Sequence, residues 1–154
     1  MSDDFKIIAS HRKATFLYEI SERFEAGIVL QGSEVKSLRE AKVSLSDAYA
    51  GFHREELYLF NCHINPYFNA AQFNHEPLRM RKLLMHQKEL FKLHEKIETK
   101  GFTLIPTKLY FKKGKVKVEL GLGKGKKMFD KRESTKKREQ NREMDRAMKS
   151  KNKF

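Results

Sequence analysis

Cysteine is almost absent from this 154-residue chain: Cys62 stands alone. An internal disulfide framework is therefore excluded, and a lone thiol fits a reducing cytosol. Long apolar runs are absent as well. None approaches the roughly 18 residues of a membrane-spanning helix, and the opening "MSDDFKIIASHRK" lacks the apolar stretch of a signal peptide. A cytoplasmic chain with no membrane segment is expected. Acidic residues are the scarcer charge, at 20 Asp and Glu against 33 Lys and Arg, for a formal net charge of +13. That balance favours a polyanionic partner, nucleic acid before an anionic membrane surface. Apolar residues make up 39% and charged residues 34%, a lean core for a compact domain.

Signatures of catalysis and of nucleotide binding are missing too. The stretch "GLGKGKKMFDKRE" (121–133) superficially reads as a phosphate-cradling loop. Its Gly121 and Gly125 have three residues between them where the P-loop needs four, and Lys127 or Met128 stands where Ser or Thr would hold Mg²⁺. Cys62 and His63 are adjacent, so a strand points them to opposite faces, and no second cysteine completes a metal site. His86 and His94 lie about two helical turns apart, and His94 reads as a packed core residue. Serines fall at caps and turns, and carboxylates are scattered among basic residues. No enzyme, metal or cofactor is expected. RNP aromatics, a GXXG loop, zinc fingers and solenoid-length repeats are also lacking.

What is present is uneven charge. Residues 123–154 carry 13 Lys and Arg against five Asp and Glu, a net of +8, while residues 1–122 carry only +5. Apolar residues in the tail are limited to Met128, Phe129, Met144, Ala147, Met148 and Phe154. Too little surface is there to offset the backbone entropy of ordering, about 1–2 kcal/mol per residue. A folded body over 1–122 and a tail over 123–154, disordered unless a partner holds it, are expected. The glycines after Leu120 read as a flexible exit from the last strand.

Within the body, "ATFLYEIS" (14–21) alternates as a half-buried strand with Phe16, Tyr18 and Ile20 on one face. "FEAGIVLQG" (24–32) is a second strand candidate. "GSEVKSLREAK" follows as a helix capped by Ser33, with Val35, Leu38 and Ala41 on its apolar stripe. "DAYAGFH" (47–53) and "LYLFNCHI" (57–64) flank a polar turn as a hairpin, and 65–77 is loop. "LRMRKLLMHQKELFKLHEKIETKG" carries a helix that ends at Gly101 and starts somewhere between Pro77 and His86, with Leu83, Leu90, Phe91, His94 and Ile97 at helical spacing. "FTLIPTKLYFK" and "KVKVELGL" form a hairpin across Lys113-Gly114. This order predicts a mainly β fold: an OB-like closed barrel of about six antiparallel strands with two or three flanking helices. An open α+β sheet is the alternative.

Three basic clusters lie on that body: "EVKSLREAK", "RMRK" (79–82) and "FKKGKVK". Each alone could be a solvated face. Together they suggest a phosphate-binding surface that recognises folded shape, with salt-dependent affinity and little sequence readout.

"FEAGIVLQGSEVKSLREAKVSLSDAY", "RKLLMHQKEL", "KLYFKKGKVKVELGLGKGKKMFDKRE" and the basic tail resemble the small protein B family, the tmRNA-binding proteins of bacterial trans-translation. The resemblance runs from about Lys6 to the C-terminus. It implies the barrel above and an adaptor that is not an enzyme. The adaptor holds the tRNA-like domain of tmRNA, assists aminoacylation by alanyl-tRNA synthetase and delivery with elongation factor Tu, and enters stalled ribosomes as a monomer. By resemblance the tmRNA-facing residues are Glu25, Gly32, Glu34, Lys36, Arg39, His75, Arg79, Arg81, Lys82, Leu83, Lys115 and Lys117. For Leu83 a core position is an equal reading. The tail is implied to occupy the decoding centre of the small subunit and the empty mRNA channel, where it turns helical. Its residues there are Gly125, Lys126, Lys127, Phe129, Asp130, Lys131, Arg132, Lys136, Arg138, Arg142, Arg146 and Met148. The family often has His or Tyr at the place of Phe129, so stacking is kept and a polar atom lost. A basic structural ribosomal protein is the alternative function.

Overall fold

One strand of eleven residues organises the architecture seen in a computed structural model, which describes residues 5–68, 70, 74–125 and 142. The elements are β1 (Phe5–Ser10), α1 (Ala14–Leu17), β2 (Tyr18–Ile28), α2 (Gly32–Arg39), β3 (Val43–Ser44) and β4 (Tyr49–His53). They continue with β5 (Glu56–Phe60), β6 (His63–Ile64), β7 (Arg81–Leu84), α3 (Gln87–Lys100), β8 (Thr103–Lys112) and β9 (Lys115–Gly125). The pairings run β8–β4–β5–β7–β2–β9, and β9 pairs back onto β8, so six antiparallel strands close a ring. β1 adds to β8 beside the ring, and β3 pairs with β6 in a separate ribbon. The expected mainly β ring with flanking helices is what the chain forms.

Its interior is aliphatic. Leu57, Leu59, Leu83, Leu104, Leu109, Val118, Leu120 and Leu122 point inward from the strands, with Leu38 of α2 and Leu93 of α3 buried at the margins. Burying each large aliphatic side chain contributes roughly 1.5–3 kcal/mol.

Several expectations change. The two strands expected over 14–21 and 24–32 are one: Ala14–Leu17 is a single helical turn, closed by Leu17 N–H donating to the Lys13 carbonyl. β2 then runs on through Ser21, whose bulge against β9 absorbs the break in alternation. The N-terminal strand β1 was not expected; its Phe5 and Ile7 remain half exposed, so its alternation is weak. Helix α2 begins one residue earlier than Ser33, capped by Gln31 through a reciprocal box with Glu34. Its buried side is Ser33, Glu34, Ser37 and Leu38, while Ala41 lies past its end at φ 56°.

The helix ending at Gly101, whose start the sequence left open between Pro77 and His86, begins at the far end of that range. Arg81–Leu84 pairs with β2 and β5 as a strand, and α3 starts only at Gln87. Leu93, rather than His94 or Phe91, is the residue α3 buries fully. His94 is exposed, edge-on to Phe52 at 4.9 Å, and Phe91 is 76% exposed. The strand expected over 57–64 is broken at Asn61, which takes φ 56°, giving β5 and β6. Both hairpin turns are as expected: Arg54-Glu55 and Lys113-Gly114 each place two successive residues at positive φ, the geometry of tight primed turns.

The glycines after Leu120 are not an exit loop. Gly121, Gly123 and Gly125 lie within β9, where Gly125 pairs with Tyr18. A Cβ on Gly123 would stand 2.4 Å from the Glu19 carbonyl oxygen. Glycine is there for close backbone approach, and strand pairing extends past residue 122 to Gly125.

Candidate nucleic-acid interface

The basic clusters meet because β2 lies between β7 and β9 and leads directly into α2. Glu34 ties this corner together. It is completely buried, and it accepts the Gln31 backbone N–H at 2.7 Å, Arg79 Nη2 at 2.6 Å and Arg81 Nε. Burial works to raise its pKa, but hydrogen bonds from Arg79, Gln31 and Arg81 more than offset this, and the carboxyl is held below its ordinary value.

Arg81 is also fully buried. Its guanidinium donates to Glu34 and to the carbonyls of Cys62 (2.7 Å), Pro77 (3.2 Å) and Glu76 (3.4 Å). One side chain thereby fixes α2, the β5–β6 junction and the 75–79 loop around β7. His75 is 5% exposed and adds a second tie. Its Nε2 donates to the Ile64 carbonyl at 2.9 Å, which leaves Nδ1 to accept from the Ser33 hydroxyl at 2.8 Å. Leu83 is 2% exposed in the core. Glu34, His75, Arg81 and Leu83 therefore lie beneath the surface, as its frame.

The groups at the surface differ. Lys36 and Arg39 are exposed on α2, with Lys36 Nζ 5.5 Å from the ring centre of Tyr67. Arg79 is part-exposed and also donates to the Val29 carbonyl at 3.2 Å. Lys82 reaches Glu56 at 3.3 Å. Lys115 is exposed, and the half-buried Lys117 lies over Gly27, its Nζ 3.7 Å from where a Cβ would stand. Among the described residues, no carboxylate lies within 4 Å of Lys36, Arg39, Lys115 or Lys117. Gly32 opens α2, with nothing within 4 Å of its missing Cβ.

Glu25 is exposed on β2 and is already engaged. It accepts the Tyr110 hydroxyl at 2.5 Å and Lys112 Nζ at 3.2 Å. The Tyr110 hydrogen bond, helped by Lys112, lowers its pKa, while burial and then Glu25 push the Tyr110 phenol up. Tyr110 and Lys112 were not picked out individually from the sequence. Lys112 falls within the basic cluster "FKKGKVK", and the register, which places Tyr110 opposite Lys117 on β9, brings Tyr110 to the same corner.

Of the tail residues, Gly125 ends β9 and is exposed, and Arg142 is exposed. Lys126, Lys127, Phe129, Asp130, Lys131, Arg132, Lys136, Arg138, Arg146 and Met148 lie outside the described residues. Among the described residues no group of His, Cys, Asp or Glu could hold a metal ion, and no helix is long and apolar enough to cross a membrane. Cys62 is buried, and burial raises its thiol to about 11.

The chain is 54% identical over 150 residues to an SsrA-binding protein of Acaryochloris marina, covering 97% of both chains. It is 53% identical over 148 residues to an SsrA-binding protein of Geobacter sulfurreducens, covering 96% of this chain and 97% of that one. A solved structure described as "tmRNA-SmpB: a journey to the center of the bacterial ribosome" matches with a TM-score of 0.65 at 50% identity. That match covers 78% of this chain and 85% of the other. Residues 8–150 match the family described as SmpB protein. This chain belongs to the SmpB protein family.

Proposed function

We propose that the chain is an RNA-binding adaptor that holds the tRNA-like domain of tmRNA and brings it to stalled ribosomes for trans-translation. The observation that carries this reading is the basic corner. Lys36, Arg39, Lys115 and Lys117 have no carboxylate within 4 Å among the described residues, and they surround a frame built on Glu34 and Arg81. Such cations neutralise backbone phosphates and recognise a folded RNA by its shape. The names SsrA-binding protein and tmRNA-SmpB, at 50–54% identity, support the same partner.

Within this reading Lys36, Arg39, Arg79, Lys82, Lys115 and Lys117 face the RNA, with Gly32 allowing close approach. Glu25, Glu34, His75, Arg81 and Leu83 position them. Strand β9 runs to Gly125, and in this reading the basic tail serves the decoding centre and the empty mRNA channel. Elongation factor Tu and alanyl-tRNA synthetase act on the same tmRNA. The role is cytoplasmic binding by a monomer, without catalysis.

The test is a reconstituted peptide-tagging reaction on ribosomes stalled without a codon. Full-length chain supports tagging, whereas residues 1–125 bind tmRNA with nearly full affinity and support none. Loss of tmRNA binding on truncation sinks the division of labour. Co-purification with one ribosomal subunit but not with tmRNA at moderate salt would favour a structural ribosomal protein.

A further inference from the structure

The hairpin β4–β5 turns Ala50, Leu57 and Leu59 into the core, so Tyr49, Tyr58 and Phe60 project outward. Tyr49 and Phe60 are directly opposite in register and their rings stack, with centroids 5.2 Å apart and planes 21° apart. Tyr58 continues the row at 6.4 Å from Phe60, and His53 meets it edge-on at 6.1 Å. Gly51 pairs with Tyr58, and a Cβ there would stand 3.5 Å from the Phe60 ring. The absent side chain leaves the rings room to lie flat. The Tyr58 hydroxyl donates to Glu56 at 2.7 Å, and Glu56 also takes Lys82, which sits opposite Tyr58 on β7.

Nothing in the core requires these rings, and Tyr49 stays 43% exposed. A stacked cross-strand pair would by itself support the hairpin. A row of three outward rings ending beside a lysine, on a chain of net charge +13, has the make-up of a base-stacking surface: flat π faces with a cation for the adjoining phosphate. We propose that Tyr49, Tyr58 and Phe60 form a stacking platform for one or two unpaired bases of the bound RNA, with Lys82 on the phosphate between them. The proposal rests on the adaptor reading and adds an element to it, since the basic corner reads only backbone and shape.

The chain contains no tryptophan, so Tyr49→Trp gives a single-site fluorescent reporter in the full-length protein. The probe is the tRNA-like domain of tmRNA transcribed in vitro. Tryptophan emission falls saturably on titration, with the midpoint found by filter binding. Tyr49→Leu/Tyr58→Leu weakens binding at least about fivefold, the lower limit of one stacked base, with the slope of affinity against salt unchanged. If the wild-type chain does not bind this RNA, the adaptor reading fails and the platform with it. If it binds while Tyr49→Trp emission stays constant and the leucine variant keeps its affinity, the platform alone is overturned. Quenching by ribosomes but not by the RNA assigns the face to a ribosomal partner and overturns it equally.

Discussion

Replacing Arg81 by methionine probes the frame of the basic corner. Methionine fills much of the arginine stem but removes every donor. Glu34 loses one of its three hydrogen-bonding partners while remaining fully buried. The carbonyls of Cys62, Pro77 and Glu76 lose the guanidinium as well. Breaking a buried ion pair on one side costs about 3–5 kcal/mol. Each stranded carbonyl could add about 1–3 kcal/mol if it stayed dry, though such contributions do not add for groups in one network. Arg79 and Gln31 still hold Glu34, so the lower half of the range, about 3–4 kcal/mol, is expected. At about 3–4 °C per kcal/mol for a body of this size, Tm falls by roughly 10–15 °C. Urea denaturation followed by far-ultraviolet circular dichroism measures the change. Glu34→Gln/Arg81→Met removes both charges and recovers stability, ending within about 2 kcal/mol of wild type. An Arg81→Met loss under about 1 kcal/mol, or a double variant worse than the single, refutes the reasoning.

Other consequences can be checked separately. Because the Glu34 carboxyl is held below its ordinary 4.5, its contribution is present above pH 4.5 and is lost as pH falls through the folded value; Glu34→Gln flattens the acid limb of the stability curve, and an unchanged limb contradicts this. Gly123→Ala forces a Cβ into the Glu19 carbonyl 2.4 Å away and costs about 1–3 kcal/mol in the same denaturation assay. Lys36→Ala and Lys117→Ala each reduce the salt slope of RNA binding by about one, without loss of Tm; an unchanged slope removes that lysine from the interface. Cys62, buried and raised to about 11, reacts with a thiol reagent in urea and scarcely at all in the native protein.

Both hairpins were legible from the sequence because short polar turns between alternating runs constrain pairing locally. The mainly β ring followed from their number and order. Arg81–Leu84 was not legible: "RKLLM" runs straight into a helical period, and only pairing with Gly27, Ile28, Tyr58 and Leu59 makes its first part a strand. The same non-local pairing kept Gly123–Gly125 in β9, past the strand expected to end at Leu122. At the site, clusters of lysine and arginine pointed to the corner but could not separate surface from frame. Arg79 and Arg81 are two apart in one motif, yet one is part-exposed and the other sealed beneath α2. Glu34 accepts from both, and what separates them is that Arg81 also reaches the carbonyls of Cys62, Pro77 and Glu76; no local pattern encodes this.

An adaptor that brings tmRNA to stalled ribosomes, as proposed, must hold its tRNA-like domain in preference to ordinary tRNA, and competition binding tests this directly. Labelled tRNA-like domain of tmRNA is bound by the full-length chain at physiological salt and challenged with unlabelled RNA. Stoichiometric unlabelled tRNA-like domain displaces the label, and a large excess of bulk elongator tRNA does not. Equal displacement by both would reduce the basic corner to a general polyanion surface and contradict the adaptor reading.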